Sequence, residues 1–172
     1  MKLYGSHVTP IAQEIVRLLT STTDHGIEAE SPREVILDIE AVLKNYLAVE
    51  KDVNDKAKEL LDRTGRSMDQ YQNVREQIAE SKGIRVGDEM LDHLLDEIVS
   101  SFHRSPHVDE IYDEDVELRR KMAPIFKKHF GAEDSLESEI RAQLKHVQEG
   151  TPLWEIEHAR VAEQIRRKRG LA

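Results

Sequence analysis

The stretch 31-SPREVILDIEAVLKNYLAVEKDVNDKAKELLDRTG-65 decides the fold class. Ser31 is a typical N-cap residue, Pro32 suits the first helical position, and Glu34 completes the capping-box pattern. Apolar residues then recur in steps of four and three until Gly65 ends the pattern, and we call them the seam: Val35, Ile39, Val42, Tyr46, Val49, Val53, Ala57 and Leu60. The spacing predicts one helix over residues 32–64, about 50 Å long at roughly 1.5 Å per residue. Part of so long a helix must pack against a partner segment.

Similar signals predict shorter helices on either side. Thr9 and Pro10 predict a capped start for a helix that carries Ile11, Ile15 and Leu19. A polar helix is expected over residues 68–81, and Asp88 is expected to cap another helix that ends at Ser105 and Pro106.

The remaining third of the chain is also predicted to be helical. Acidic residues 113–115 open a helix in which Pro124 predicts a kink or restart near Lys121, because proline lacks the backbone donor. Gly131 is expected to separate this helix from the next one. Thr151 and Pro152 then begin a last helix that runs to residue 170.

The chain matches itself when shifted by 83 residues. Ile11, Val35 and Ile39 fall on Leu94, Leu118 and Met122, and the match continues along the seam without a gap. The connectors near residues 27–29 and 111–113 correspond with one residue of slippage. We therefore expect an all-α protein of two similar halves with long helices packed lengthwise, and a minimal two-stranded ribbon at the connectors. The segments are 1–82, 83–149 and a basic helix over 150–172.

Composition excludes several classes of function. The chain has 172 residues and no cysteine, so disulfide scaffolds, thiolate metal sites and cysteine nucleophiles are ruled out. The longest uninterrupted apolar run covers only residues 46–49, which predicts no membrane span and a soluble, cytoplasmic protein. Phosphate-binding glycine loops, dinucleotide fingerprints and nucleophile motifs are absent from the sequence. We expect a protein that is not an enzyme and binds no cofactor.

Several blocks resemble the uncharacterised bacterial family catalogued as domain of unknown function 507. They are the opening residues 1–4, the helix over 10–16, the block over 38–47, and the ending over 149–155 followed by the basic run 166–170. The resemblance covers nearly the whole chain. It implies a small helical protein and supplies no activity, substrate or catalytic residue.

Histidines and carboxylates offer only weak candidate sites. His103 and His107 are four residues apart and precede Asp109 and Glu110, but Pro106 interrupts the helical face that a zinc pair needs. We expect exposed histidines and no metal site. A pair formed by Glu14 and Glu97 would require symmetric packing of the two halves to act as an acid and base. At 34% charged residues, solvated glutamates are the expected alternative.

The basic end is the most unusual local feature. Residues 158–172 carry a net charge of +4. Since the whole chain carries −9, the other 157 residues carry −13. The cations are Arg160, Arg166, Arg167, Lys168 and Arg169. They match the negative end of a helix dipole and are expected to be solvated or folded back onto the acidic body. The alternatives are an acidic protein partner, RNA or DNA, and an anionic membrane.

Trp154, in the first turn of the last helix, is expected to pack that helix, with Leu153 and Ile156 beside it; the alternative is an anchor in a partner's pocket. The sequence as a whole favours a non-enzymatic interaction or assembly protein that binds a protein partner or itself, with the seam as one candidate dimer interface. The rival hypothesis is a nucleic-acid or ribosome-associated accessory factor that uses the basic end. A helical metal-carboxylate enzyme is a remote third.

Overall fold

The computed structural model describes residues 2–23 and 25–170, and the part described is all-α, as predicted. Three 3₁₀ turns, at Gly5–His7, Met68–Gln70 and Gly87–Glu89, precede α1, α3 and α4. The helices are α1 (Val8–Leu19), α2 (Pro32–Thr64), α3 (Tyr71–Ser81), α4 (Met90–Arg104), α5 (Asp115–Gln143) and α6 (Pro152–Lys168). The chain divides into two compact units, residues 1–127 and residues 128–172.

The long helix α2 forms as predicted, with Pro32 at its start and Gly65 at its end. Gly65 adopts φ 67°, the left-handed conformation that glycine tolerates best, and its backbone N–H closes the last turn on the Leu61 carbonyl. The predicted capping box is wrong. The backbone N–H of Glu34 donates instead to the Ser31 carbonyl at 3.1 Å, and the Ser31 side chain makes no cap bond.

Most of the seam is buried in unit 1, where α2 packs against α1, α3 and α4. Five predicted members are buried: Val35, Ile39, Tyr46, Val53 and Ala57. Val42, Val49 and Leu60 are only half-buried, and Leu43, Glu50 and Leu61 take their interior places. The residues of a straight helix do not repeat exactly every seven positions. The side of α2 that faces its neighbours therefore shifts gradually from the predicted seam positions to the adjacent ones. The buried members are therefore unavailable as a dimer interface, and the segments that cover α2 belong to the same chain.

Four other boundary predictions are wrong: a cap at Thr9, a cap at Asp88, a helix restart near Lys121 and a helix end at Gly131. Helix α1 begins at Val8, so Thr9 and Pro10 lie inside its first turn rather than at its cap. Asp88 lies within a 3₁₀ turn and caps nothing. Helix α5 continues through both Pro124 and Gly131. A proline deletes a single backbone donor, and Gly131 does not take a positive φ, so neither residue ends the helix.

The two-stranded ribbon predicted at the connectors is present. Strand β1 (Ile27–Glu28) pairs antiparallel with β2 (Glu110–Ile111), with Ile27 opposite Ile111. The Tyr112 N–H extends the pairing by donating to the Gly26 carbonyl at 2.8 Å. Gly26 allows this close approach, because a Cβ there would lie 2.6 Å from Asp113 Oδ2.

Several features recur at the predicted shift of 83 residues. Helices α2 and α5 begin at residues 32 and 115, and the middle of β1 maps onto the middle of β2. All six buried residues of α1 have buried counterparts on α4: Leu91, Leu94, Leu95, Ile98, Val99 and Phe102. Buried Glu50 maps onto buried Glu133. A duplication would produce these coincidences; the internal repeat itself stays a prediction.

The three sequence segments, 1–82, 83–149 and 150–172, do not share a boundary with the two compact units. Unit 2 consists of the second part of α5 and all of α6, and we call it the second hairpin. Its core is a cluster of five buried residues: Leu136, Ile140, Leu144, Val161 and Ile165. In unit 1, the end of α2 and α3 form the first hairpin, around Ala57, Leu61 and Val74. Over the described residues, no helix is long and apolar enough to cross a membrane.

Candidate interaction surface on the last helix

Helix α6 and the Arg169 that follows it carry the residues predicted for the basic end and Trp154, and the start of the helix is fixed by local chemistry. Thr151 Oγ1 accepts a hydrogen bond from the Trp154 backbone N–H at 3.2 Å, and Pro152 occupies the first helical position. The Thr151 hydroxyl in turn donates to the Gln148 carbonyl at 2.7 Å. A threonine cap of this kind contributes about 1 kcal/mol to helix stability. The helix ends at Lys168, two residues before the predicted end.

The inner face of α6 closes the core of the second hairpin. Val161 and Ile165 are 2% exposed, and Trp154 packs against the same cluster while remaining half-buried. The Trp154 ring lies 4.8 Å from the His158 ring, and the Arg141 guanidinium lies over it at 5.8 Å. The structure therefore places Trp154 in packing contact within its own unit.

The solvent-exposed side of α6 contains two residues for which the sequence prediction is wrong. Leu153 and Ile156, expected to pack beside Trp154, are 58% and 66% exposed. Each residue turns the helix by about 100°, so a face centred on Trp154, Val161 and Ile165 directs positions 153 and 156 toward solvent. Pro152 and Ala159 are exposed on the same side. The first turns of α6 thus present an apolar patch formed by Pro152, Leu153, Ile156 and Ala159.

The basic residues of α6 separate into two groups. Arg166 pairs with Glu133 on α5, with Nη2 at 3.2 Å from Oε2, and Glu133 is only 4% exposed. Arg169 pairs with Glu139, also on α5. These two cations are therefore held within the second hairpin.

The other three basic residues of α6 are directed outward. Arg160 and Arg167 are 55% and 70% exposed and pair only along the helix, with Glu157 at 2.6 Å and with Glu163 at 2.5 Å. The hydrogen bond from the Arg160 guanidinium lowers the pKa of Glu157. Burial has a smaller, opposite effect, so that pKa stays below its usual value. Lys168 is exposed and has no ion pair within the described part of the chain. Exposed pairs of this kind contribute little to stability, because solvent screens them.

A second polar contact joins the two helices of unit 2. His158 Nε2 lies 3.1 Å from both carboxylate oxygens of Glu137, and Arg141 Nε donates to Glu137 at 3.0 Å. Burial raises the pKa of the Glu137 carboxyl, but the hydrogen bonds from His158 and Arg141 outweigh it and leave that pKa lowered. The contact holds α6 against α5 one helical turn from Trp154.

The histidines considered as metal ligands do not converge. His103 Nε2 lies 2.9 Å from Asp115, whereas His107 lies 3.9 Å from Glu34. Among the described residues, no group of three or more histidines and carboxylates is arranged to hold a metal ion.

Unit 1 holds a groove of about 340 Å³ between α2, α4 and the connector over residues 82–86. Tyr46 lies at its edge and donates to the Arg85 carbonyl at 3.0 Å, while its ring centroid is 5.8 Å from that of His93. Burial, followed by the nearby Glu50 carboxylate, raises the pKa of Tyr46, and burial lowers the pKa of His93. The Tyr46 hydrogen bond ties α2 to the connector, and His93 is half-buried beside the Tyr46 ring.

Two features escaped the sequence analysis, the buried glutamates and the exposed apolar patch. Glu50 lies inside α2, where Arg75 Nη2 approaches it at 3.3 Å and the Tyr46 hydroxyl at 3.3 Å. Glu133 and Arg166 form the corresponding pair in the second hairpin. The match of Glu50 and Glu133 at the shift of 83 residues was the available signal. Periodicity alone cannot show that two glutamates are buried, because the partner arginines lie on another helix.

The architecture defines a class of all-α proteins with two helical hairpins, each closed by a buried glutamate and an arginine. Within this class, the chain belongs to the family described as protein of unknown function (DUF507), whose model matches residues 1–171. The resemblance seen in the sequence is thereby confirmed. Among curated proteins, none matches the chain significantly.

Proposed function

We propose that this protein is a non-enzymatic interaction protein that binds another protein through the outer face of α6. By the outer face we mean the apolar patch together with Arg160, Gln164, Arg167 and Lys168. The observation that carries the proposal is the exposure of Leu153 and Ile156, 58% and 66%, on a well-capped helix. Large aliphatic residues that face water within one turn of each other are typical of contact surfaces.

The packing of α6 supports this assignment. The hairpin core uses the opposite side of the helix, through Trp154, Val161 and Ile165. Leu153 and Ile156 thus contribute little to folding in the position they occupy. Covering these two side chains with a partner would bury apolar surface, which contributes about 25 cal/mol of favourable free energy per Å². The histidines described above lie apart from one another, and no metal-binding cluster is found among the described residues, so a binding role is preferred to a metal-dependent reaction.

The test is affinity capture from the native cell with three forms of the full chain. The wild type and the control L37S/M68S should capture the same proteins, because Leu37 and Met68 are exposed apolar residues outside the patch. The variant L153S/I156S should lose those proteins specifically. Circular dichroism must show equal helix content in all three forms. Equal capture by all three forms would remove the outer face from consideration.

A nucleic-acid accessory role is the second candidate, favoured by the outward placement of Arg160, Arg167 and Lys168. Arg166 and Arg169 are engaged with α5 carboxylates, so fewer cations face outward than the sequence suggests. Binding of RNA or DNA whose salt dependence weakens in R160E/R167E would support this role. Unchanged binding in that variant would exclude these arginines as contacts.

A further inference from the structure

The two hairpins share a plan but expose very different surfaces. Each pairs the end of a long helix with a shorter helix, and each contains one buried glutamate bound to an arginine: Glu50 with Arg75 and Glu133 with Arg166. Each also places an aromatic residue beside its core, Tyr71 in the first and Trp154 in the second. The interior therefore imposes similar demands on α3 and α6.

The exposed residues of α3 are all polar: Gln72, Asn73, Glu76, Gln77, Glu80 and Ser81. Helix α6 instead exposes the apolar patch and Glu155 in its first turns and, further along, Arg160, Arg167 and Lys168 beside Glu163 and Gln164. Since the hairpin plan does not require this difference, it points to a ligand of α6. The ligand must be apolar at one end and negatively charged at the other.

We infer that the partner of the outer face is an acidic amphipathic helix of another protein, which sets aliphatic side chains on Leu153 and Ile156 and carboxylates near Arg160 and Arg167. This inference rests on the proposed function and specifies the chemistry of the partner. Positions 153, 156, 160, 164 and 167 follow steps of three and four, so they form one stripe along the helix. A stripe of this kind packs against a second helix by ridges and grooves.

Charge complementarity favours an acidic partner. Two carboxylates flank this stripe, Glu157 and Glu163, and each is paired along the helix with one of its arginines, Arg160 and Arg167. Exchanging the exposed intrahelical partners for carboxylates of a bound helix sacrifices only weak interactions. Removing those pairs from water at an interface would strengthen them, because their electrostatic attraction is then less screened.

Two other occupants fit less well. Nucleic acid gains nothing from Leu153 and Ile156, because aliphatic side chains do not stack on bases as aromatic ones do. A second copy of this chain, packed antiparallel about Ile156, would set Leu153 against Ala159 and Arg160 against Pro152. In that pairing Arg160 meets an apolar residue of the second copy and not a carboxylate, so the charges of the two surfaces do not complement each other.

The experiment places a photo-crosslinking amino acid at Gln164, which is exposed between the patch and Lys168. The full chain is irradiated in the native cell and the crosslinked product is digested and sequenced. We expect a nuclease-resistant protein adduct whose attached peptide has apolar residues at steps of three and four and an excess of aspartate and glutamate. R160E/R167E should reduce adduct yield about tenfold, since charge pairs at an interface control association.

The control R17E/R66E changes net charge equally at two exposed arginines outside the surface and should leave the yield unchanged. Loss of the adduct in L153S/I156S but full yield in R160E/R167E would overturn the acidic partner and leave the proposed function standing. A nuclease-sensitive adduct, an adduct with the chain itself, or a basic attached peptide would each overturn the inference. No adduct at Gln164, with capture also unaffected in L153S/I156S, would overturn both proposals.

Discussion

Replacing Arg75 by methionine should destabilise unit 1 strongly, because Arg75 is the cationic partner of a buried carboxylate. Glu50 and Arg75 have side chains only 10% and 15% exposed, and Arg75 Nε also donates to Asn54 at 2.6 Å. Methionine keeps most of the volume and removes the charge and the donors. Glu50 then retains the Tyr46 hydroxyl as a neutral donor at 3.3 Å.

The magnitude follows from what is left unpaired. Breaking a buried ion pair by removing one partner costs about 3–5 kcal/mol, and the remaining hydrogen bond to Tyr46 lowers the expected loss to about 2–4 kcal/mol. Removing both charges should be milder, because no carboxylate is then buried without a cation. We therefore expect E50Q/R75M to be more stable than R75M by at least about 1 kcal/mol.

Urea unfolding at pH 7, followed by circular dichroism, measures this on the wild type, R75M, E50Q and E50Q/R75M. K51M is the control, because Lys51 is exposed on the same helix beside Glu50. The reasoning is refuted if R75M loses no more free energy of unfolding than K51M. It is also refuted if the double variant is less stable than R75M, since Glu50 would then not be the group left unpaired.

Three further outcomes are expected. G26A should lower the free energy of unfolding by about 1–3 kcal/mol, because its Cβ would lie 2.6 Å from Asp113 Oδ2 and 3.3 Å from Leu118; thermal melting beside G5A, where nothing lies within 4 Å, tests this, and equal melting temperatures would contradict it. G131A should raise stability by about 0.5–1 kcal/mol, because Gly131 is helical and a Cβ there meets nothing within 4 Å; a lower urea midpoint would show that the helix needs glycine there. The lowered pKa of Glu137 implies stability that is present above its ordinary value of 4.5 and is lost as pH falls through the folded-state pKa. E137Q should therefore flatten the decline of the urea midpoint below pH 4.5, and an unchanged acid profile would contradict this.

The sequence predicted the helices well because their signals are local. Pro32, Gly65 and Thr151 act through their own backbone neighbours, and each marks a boundary in the structure. The predicted helix end at Gly131 is wrong, because a glycine ends a helix only when its backbone takes a positive φ. Whether that turn occurs depends on the packing of the second hairpin, which a single sequence window does not contain.

The position of helix α6 follows from the sequence, but the contacts of its basic residues do not. Helix α6 was identified from its charge, and the sorting of that charge required knowing which carboxylates of α5 lie opposite. Arg166 and Arg167 are adjacent in sequence, yet one meets buried Glu133 and the other faces water. The sequence pattern places Leu153 and Ile156 in the core, because apolar residues near a tryptophan normally pack with it. In the structure both side chains are exposed.

The two faces of α6 also separate two kinds of constraint on mutation. A change at Val161 or Ile165 disturbs the hairpin core, whereas a change at Leu153 or Ile156 leaves that core intact. The exposed positions can therefore change without any loss of folded protein. The same separation makes the second hairpin a ready scaffold for engineering, in which positions 153, 156, 160, 164 and 167 can be randomised over an unchanged interior.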